Sequence, residues 1–205
     1  MFMLTACIFA APHETEKLAL LLEYCRWLDG TELHVVRAPE PKGLVYPGIS
    51  NWAYKTICRE MAGQPFMYVE VDSPPIKKGW LKAISQEYDA EVFQRTFLWA
   101  DKFAPPHDRI GGIGVAPYNA DEIIPDGIVH DGFDGWLLEH HPELIAGTPL
   151  IRHSHSLFDP SSGKPAEPHR FPRDYGIIGD EAVIFHADKT QSLIPFLRRM
   201  AACTC

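Results

Sequence analysis

The stretch FMYVEVDSPPIKKGW, residues 66–80, decides the fold. It begins as an apolar run, carries Glu70 and Asp72 at the end of that run, and then breaks at Pro74 and Pro75. A short apolar run bounded by turn residues is typical of a buried strand. In open α/β sheets, ligands bind outside the carboxyl ends of such strands. The two acids therefore predict a polar site at one edge of a largely buried sheet.

Strands and helices alternate on both sides of this stretch. Residues 3–10 (MLTACIFA) and 31–38 (TELHVVRA) are predicted as the first two strands, and helices are predicted over residues 14–28 and about 51–61. Apolar residues of the first helix recur at three- and four-residue steps, which marks one buried face. A further helix is predicted within residues 76–93. The alternation predicts an α/β fold, a three-layer α/β/α sandwich with a mostly parallel central sheet.

The second half of the chain has a different pattern. Beyond residue 100, glycines and prolines interrupt the sequence, so we expect loops and site residues to predominate there, with a helix around residues 135–139. Residues 159–176 hold four prolines and few apolar residues, which predicts a long mobile loop. Residues 181–200 are predicted to form the last strand and helix. The length of 205 residues, without repeats or an evident linker, predicts one domain over residues 1–205.

Composition limits the class of protein. Hydrophobic residues make up 46% and charged residues 22% of the chain, which is ordinary globular composition. No apolar run approaches the roughly 20 residues that cross a bilayer. Residues 1–11 lack a basic leading segment, so we interpret them as a strand rather than a signal peptide and expect a cytoplasmic protein without membrane contact. The five cysteines lack C-x-x-C spacing, which predicts reduced core thiols.

Two groups of polar residues suggest a cation site. Because side chains alternate along a strand, the spacing of Glu70 and Asp72 sends both carboxylates to one face. Hard oxygen ligands of this kind suit Mg²⁺ or Mn²⁺. Near the C-terminus, His186 and Lys189 follow a short apolar strand; an imidazole can complete a divalent-ion site, and an ammonium group can neutralise phosphate charge. The alternatives are solvated acids and a surface histidine.

The order of these elements resembles that of small glycosyltransferases of the GT-A fold, particularly compact forms carried in phage genomes. The resemblance rests on FMYVEVDSPP followed by GWL, then GGIGVAPY, then DGFDGWL and finally HADKTQSL, and it spans nearly the whole chain. It implies a Rossmann-related fold with a nucleotide-binding half, residues 1–100, and an acceptor-binding half, residues 101–205. It also implies a nucleotide-sugar donor and a hydroxyl acceptor.

The resemblance also implies a set of metal ligands. In that family an acidic D-x-D-like motif and a later histidine hold Mn²⁺ or Mg²⁺, and the ion holds the diphosphate of the nucleotide-sugar. Asp72 then corresponds to a metal ligand, His186 to the third protein ligand, and Lys189 faces the diphosphate. Glu70 stands in place of the first Asp, so it is either a metal ligand or a contact to sugar and ribose. Uridine diphosphate is the commonest carrier in similar enzymes, which makes a UDP-sugar the expected donor.

Similar families grip the nucleotide with the loop after the first strand and with the second helix. The resemblance therefore implies these base or ribose contacts, each with plain packing or solvent exposure as the alternative: Phe9, Ala10, Pro12, Arg37 and Asn51. The GGIGVAPY motif follows a loop and opens no helix, so it is not a dinucleotide fingerprint. We interpret Gly112 as permitting a close approach to a bound sugar, with a tight strand bend as the alternative.

Asp131 and Asp134, in HDGFDGW, precede the helix of the second half. An acceptor hydroxyl needs a carboxylate within hydrogen-bond reach to take its proton. The resemblance implies Asp134 as that base, with Asp131 behind it. Helix capping by either aspartate is the alternative.

The acceptor class is open. Hydroxymethylpyrimidine bases in phage-like DNA are one candidate, for which a local track along the phosphate backbone would be Lys77, Lys78, Arg170 and Arg173. The formal net charge of -8 gives no overall attraction to nucleic acid. Protein, small-molecule and glycan acceptors are the other candidates, and we expect a monomer or small homo-oligomer.

Two other function classes compete with the transferase. A His-x-His pair on a strand, His153 and His155, points both rings to one face, as in many zinc hydrolases. The alternative role for these histidines is to border the acceptor pocket. The third hypothesis is a non-catalytic module that binds nucleotide-sugar or carbohydrate without turnover.

Overall fold

The structure is a computed structural model of the chain. It describes residues 3–89, 91–97, 110–128, 131–153, 158–159, 164–165, 181–186 and 193–203. Their strands are β1 (Thr5–Phe9), β2 (His34–Val36), β3 (Phe66–Tyr68), β4 (Phe93–Phe97), β5 (Ile110–Ala116), β6 (Ile145–Gly147), β7 (Ile151–His153), β8 (Phe158–Asp159), β9 (Lys164–Pro165) and β10 (Ile184–His186). Their α-helices are α1 (Thr15–Asp29), α2 (Gly48–Glu60), α3 (Trp80–Glu87), α4 (Ala120–Ile123), α5 (Phe133–His140) and α6 (Leu193–Cys203), and two 3-10 helices cover Pro12–Glu14 and Pro142–Leu144.

Six of these strands form the central sheet, in the order β2-β1-β3-β5-β4-β6. β1 pairs in parallel with β2 and β3, and β4 pairs in parallel with β6. β5 runs antiparallel to both of its neighbours, β3 and β4. β7 and β10 pair in parallel in a separate two-stranded ladder, and β8 pairs with β9.

Both faces of the sheet are buried. Alternate residues of β1 point into different cores: Ala6 and Ile8 join a cluster with residues of α1, α3 and α6, whereas Cys7 and Phe9 join a cluster with residues of α2, α4 and α5. This is the period-two alternation of a strand packed between two helical layers. The predicted three-layer α/β/α fold with a mostly parallel sheet is confirmed.

Two predicted elements differ from the structure. The helix expected within residues 76–93 ends at Glu87, and Phe93 begins β4. The chain turns at Asp89, whose carbonyl accepts a hydrogen bond from the Val92 N–H at 3.4 Å. The glycine-rich residues 110–116, expected among loops, form the antiparallel strand β5 in the interior of the sheet. The last strand and helix, and the helix near residue 135, are confirmed as β10, α6 and α5.

Other expectations concern the membrane, the cysteines and the proline-rich loop. Across the part of the chain that the structure describes, no helix is both long and apolar enough to cross a membrane. Cys7, Cys25 and Cys58 are buried, unbridged core thiols, and burial raises the pKa of each to about 12. The loop predicted over residues 159–176 lies outside the described residues except for residue 159 and the two residues of β9.

Candidate metal centre and catalytic site

A turn directly after β3 brings Glu70 and Asp72 together. The Ser73 N–H donates to the Glu70 carbonyl at 3.0 Å, and the Glu70 N–H donates to Ser73 Oγ at 3.3 Å. Because β3 ends at Tyr68, strand alternation does not govern these two side chains. The expectation that they lie together is met, but its reason was wrong, since the turn sets their positions.

His186 reaches the same place from the end of β10. The segment after the turn runs beside this strand: the Ile76 N–H donates to the Val183 carbonyl at 2.8 Å, and the Phe185 N–H donates to the Pro74 carbonyl at 3.1 Å. The double proline therefore does more than turn the chain away, because the Pro74 carbonyl helps to fix the strand that carries His186.

Glu70, Asp72 and His186 have the spacing of metal ligands. His186 Nε2 lies 3.0 Å from Glu70 Oε2 and 3.7 Å from Asp72 Oδ1, and one ligand atom from each residue lies within 4.8 Å of the others. Ligand atoms about 2.1 Å from one octahedral ion are roughly 3.0 Å apart when adjacent and roughly 4.2 Å apart when opposite. The two carboxylates suit Mn²⁺ or Mg²⁺, and an imidazole can complete the site of a divalent ion. The geometry and the donor set therefore fit one divalent ion.

The low exposure of these three side chains favours the binding of a cation. Asp72 and His186 are 3% and 5% exposed, and Glu70 is half-buried. The Tyr68 hydroxyl donates to Glu70 Oε1 at 3.4 Å, and burial raises the pKa of this phenol well above its ordinary value. Low exposure strengthens electrostatic attraction for a cation because less water screens it.

Gly112 lets this group sit against the backbone of β5. A Cβ atom at this position would lie 3.3 Å from Glu70 Oε1 and 3.9 Å from His186 Cε1. A close approach at Gly112 was expected from sequence, and in the structure the approaching groups are Glu70 and His186. A contact between Gly112 and a donor sugar stays a prediction.

Asp134 lies in the first turn of α5, where its own N–H and that of Gly135 lower the pKa of its carboxyl. Burial raises the pKa of this carboxyl, and the charge of Glu70 acts in the same direction, whereas these N–H groups and the Arg95 guanidinium oppose the rise. A carboxylate with a raised pKa is a better proton acceptor near neutral pH. Neither Asp131 nor Asp134 is the cap of α5, because its N-cap residue is Gly132 and no side chain bonds there. The role of Asp134 as base stays a prediction.

Asn51 holds the loop that leads to Asp134. Its side-chain amide donates to the Ile128 carbonyl at 2.8 Å and to the Asp131 carbonyl at 2.7 Å, and its oxygen accepts from the Phe133 N–H at 2.6 Å. The residue is 4% exposed. Its polar atoms thus act on the backbone before α5, which assigns Asn51 a structural role that the expected base or ribose contact did not anticipate.

The other expected nucleotide contacts lie at or beyond the carboxyl ends of β1 and β2. The Ala10 N–H donates to the Val36 carbonyl at 2.9 Å, so residue 10 extends the pairing of the two strands. The Phe9 ring contacts the Trp52 ring edge-on, with centroids 5.1 Å apart. Arg37 and Pro12 are exposed nearby in sequence. The structure brings Phe9, Ala10 and Arg37 to one edge, and their contact with a nucleotide is untested.

Trp52 and Arg95 contact predicted site residues, and sequence reasoning did not single them out. Trp52 contacts Phe9 and lines a cavity of about 220 Å³ between α2 and the 125–128 segment, with Leu44, Gly48, Asn51, Lys55, Arg59, Pro125, Asp126, Gly127 and Ile128. Arg95 is fully buried beside β5. A signal for Arg95 exists in the sequence: a charged residue at an inward position of the strand FQRTF.

Only some of the remaining predicted residues lie in the part of the chain that the structure describes. Lys189, His155, Arg170 and Arg173 lie outside the described residues. His153 ends β7, where it is the register partner of His186 in β10. The half-buried Lys77 and the exposed Lys78 precede α3. Asp131 is exposed, immediately before α5.

Comparisons with known proteins show similarity of fold. No family model matches the chain, and no curated protein matches it. The fold is similar to that of a glycosyltransferase involved in the glycosylation of the major capsid of PBCV-1, with a TM-score of 0.58 and 15% identity over 98% of this chain and 100% of that chain. HddC from Yersinia pseudotuberculosis, complexed with GMP-PN, gives a TM-score of only 0.38 at 13% identity over 71% of this chain and 91% of that chain, and it carries no argument. The first comparison supports the predicted glycosyltransferase-like fold.

Proposed function

We propose that this chain is a metal-dependent glycosyltransferase that transfers a sugar from a nucleotide-sugar donor to a hydroxyl acceptor. One observation supports the proposal: Glu70, Asp72 and His186 have ligand atoms close enough to hold one metal ion, at the carboxyl edge of a sheet whose fold is similar to that of a glycosyltransferase. Ligands bind at this edge of open α/β sheets.

The metal end of the site would consist of Asp72, His186 and Glu70. A Mn²⁺ or Mg²⁺ ion bound there supplies Lewis-acid stabilisation of the negative charge on the departing nucleoside diphosphate. Asp72 and His186 exclude water from their side of the site because both are buried. Lys189 is proposed to neutralise diphosphate charge.

The nucleotide is proposed to lie along the neighbouring strand ends. Phe9 and Ala10, which end β1 and follow it, are proposed to contact the base or ribose together with Pro12 and Arg37. Trp52 is added to this set because its ring contacts Phe9. The proposed donor is a UDP-sugar, and Gly112 is proposed to admit its sugar beside Glu70.

Asp134 is proposed as the general base for the acceptor. The acceptor hydroxyl oxygen attacks the anomeric carbon, and its proton passes to the Asp134 carboxylate. The bond from the anomeric carbon to the diphosphate breaks, and its electrons leave with the diphosphate. Asp131 is proposed to support Asp134 from the loop. This single displacement inverts the anomeric carbon, and a retaining course would give Asp134 a different role.

The acceptor is proposed as a hydroxyl compound, and DNA carrying hydroxymethylpyrimidines is one candidate to test. In that case Lys77, Lys78, Arg170 and Arg173 would contact phosphates. The whole chain, residues 1–205, is proposed to act as one cytoplasmic domain with a nucleotide-binding and an acceptor-binding half.

A zinc-dependent hydrolase built on His153 and His155 is the second candidate. One observation favours it: His153 is the register partner of His186, so the two backbone positions lie side by side at the candidate site. Stoichiometric zinc in the purified protein, with activity lost on mutating His153 but not Asp72, would support this candidate. A non-catalytic binding module is excluded if the protein hydrolyses a donor without acceptor.

A thermal-shift panel tests the leading proposal. Nucleoside diphosphates and nucleotide-sugars are screened with and without Mn²⁺ on the wild type, on Asp72→Ala and on Glu139→Ala, an exposed acid of α5 that serves as the control. A ligand that binds only the folded state raises the melting temperature. The proposal expects a Mn²⁺-dependent rise for at least one diphosphate in the wild type and the control, and none in Asp72→Ala. No rise with any donor contradicts it.

A further inference from the structure

We propose that Arg95 is a positioning residue of the metal centre, which holds the backbone of β5 at Gly112 against Glu70 and His186. The inference rests on the proposed function, because it takes those two side chains as metal ligands. It adds a residue from a strand that contributes no ligand of its own.

Arg95 is held on several sides. It is fully buried in β4. Its Nη1 donates to the Gly112 carbonyl at 2.8 Å, and its Nη2 donates to the Tyr54 hydroxyl at 2.7 Å. The guanidinium carbon lies 5.5, 5.6 and 5.7 Å from the ring centroids of Tyr54, Phe93 and Phe133. These three rings form an aromatic cage that leaves the guanidinium little freedom to move.

The glycines of β5 fit this arrangement. Gly114 is the register partner of Arg95, and a Cβ atom there would lie 2.7 Å from Arg95 Cδ and 2.1 Å from the Gln94 carbonyl oxygen. Its φ of +151° is also one that other residues rarely adopt. Gly112 and Gly114 are two residues apart, so they share one face of the strand. Gly114 leaves room for the Arg95 side chain, and Gly112 leaves room for the Glu70 side chain.

Packing alone does not explain why position 95 carries a charged arginine side chain. Among the described residues, no carboxylate forms an ion pair with Arg95, and its Nε has no hydrogen-bond partner. Burying such a charge is costly unless hydrogen bonds and opposite charge compensate for it. Methionine would fill the aromatic cage without that cost. What methionine cannot do is hold the Gly112 carbonyl.

The contacts continue to the other end of the site. The Tyr54 ring, which accepts from Arg95 through its hydroxyl, stacks on Phe133 with centroids 3.7 Å apart. Phe133 directly precedes Asp134. Arg95 therefore sits between the backbone of the metal centre and the helix that carries the proposed base.

The affinity for Mn²⁺ distinguishes two possible effects of Arg95: support of the metal ligands and electrostatic repulsion of the ion. Removing a nearby cation would tighten Mn²⁺ binding if only charge mattered, because like charges repel. Loss of a side chain that orients the ligands does the opposite, and residues that support metal ligands typically change affinity by roughly 10- to 100-fold. The two accounts therefore predict changes of opposite sign in Arg95→Met.

The experiment measures Mn²⁺ dissociation constants by electron paramagnetic resonance, together with thermal melts without metal. The variants are Arg95→Met and, as a control, Arg26→Met, which removes an exposed arginine of α1. We expect Arg95→Met to fold but to melt below the wild-type temperature, because the Gly112 carbonyl and the Tyr54 hydroxyl lose their donor, and to bind Mn²⁺ about tenfold more weakly. We expect Arg26→Met to match the wild type in Mn²⁺ affinity. Unchanged or tighter binding by a folded Arg95→Met overturns the inference.

A second variant covers failure of Arg95→Met to fold. Tyr54→Phe keeps the ring of the cage and removes only the hydroxyl that accepts from Arg95. A smaller weakening of Mn²⁺ binding in a folded Tyr54→Phe supports the inference, and unchanged affinity overturns it. If the wild type itself binds no Mn²⁺, the proposed function fails; if the wild type binds Mn²⁺ and the variants match it, only the role of Arg95 fails.

Discussion

The metal end and the acceptor end of the candidate site are built in different ways. At the metal end, the functional side chains contact one another directly, with His186 Nε2 3.0 Å from Glu70 Oε2. At the acceptor end, Asp134 depends on a relay, in which Asn51 holds the Phe133 backbone immediately before it. Removing one of the side chains in direct contact should abolish metal binding, whereas removing one contact that supports Asp134 should lower activity only in part. Substitutions can therefore be chosen that change the side chains of one end only.

The largest expected effect is at the metal end, in Asp72→Ala. Loss of this buried carboxylate should abolish Mn²⁺ binding and reduce transfer roughly a thousandfold or more, because a metal ion contributes several kcal/mol to stabilising the departing charge. Metal binding and sugar transfer are measured together. Glu139→Ala should leave both unchanged, and transfer that persists in Asp72→Ala contradicts a metal-dependent reaction.

At the acceptor end, Asp134→Asn should separate binding from chemistry. The amide keeps the shape of the side chain but cannot take a proton, so transfer should fall by roughly 10²- to 10⁴-fold. Mn²⁺ and donor binding should stay at wild-type values because the metal ligands are untouched. A matching loss of donor affinity would show that the two ends are not separable.

The same substitution gives a pH test of the burial of Asp134. Its pKa is raised in the folded protein, so the folded state binds more protons and loses stability as pH rises through that pKa. Asp134→Asn has no such proton to lose. In metal-free protein, the melting temperature of the variant relative to that of the wild type should therefore increase as the pH is raised above the ordinary aspartate pKa of about 4. A constant difference above that pH would mean that the carboxyl is not perturbed.

Two glycine substitutions form a matched pair across the site. A Cβ atom at Gly132 would lie 2.2 Å from Asp134 Oδ1, and one at Gly112 would lie 3.3 Å from Glu70 Oε1. Gly132→Ala should displace the proposed base and lower transfer about tenfold with normal Mn²⁺ affinity. Gly112→Ala should weaken Mn²⁺ binding by a smaller factor, because its neighbour has to give by only a few tenths of an ångström. The reverse pattern would break the division into two ends.

The smallest expected effect on transfer is that of Asn51→Ala. It removes three hydrogen bonds to the backbone around α5 and should lower the free energy of unfolding by about 1–3 kcal/mol. Transfer should fall only severalfold, since the loop keeps its other contacts, and Mn²⁺ affinity should not change. Urea unfolding and Mn²⁺ titration measure the two quantities. A direct nucleotide contact by Asn51 would show instead as lost donor affinity at unchanged stability.

Sequence reasoning succeeded where residue type and position along the chain carry the information. The apolar run before Glu70 predicts a buried strand, hydrophobic periodicity predicts α1, and the alternation of strands and helices predicts the helical layers. His186 was predicted to lie with Glu70 and Asp72 because of the family resemblance and the order of elements. Its place beside them depends on the pairing of β10 with the Pro74–Ile76 segment, and no local pattern specifies that contact.

β5 shows why other parts could not be predicted. Glycine disfavours strands locally, so residues 110–116 look like a loop, yet the strand is stabilised by pairing on both sides with β3 and β4. Asn51 is similar in kind, since its hydrogen bonds reach residues about 80 positions away. Arg95 was missed because its cage is assembled from three separate elements. In each case, long-range contacts decide the role of the residue.

The most direct test of the central claim is an electron paramagnetic resonance titration of the protein with Mn²⁺, with and without uridine diphosphate. The account predicts one Mn²⁺ bound per wild-type chain, a change in its spectrum when the diphosphate is added, and loss of both in Asp72→Ala. Absence of a bound ion in the wild type, or a bound ion that persists in Asp72→Ala, would contradict the proposal that Glu70, Asp72 and His186 form the metal centre.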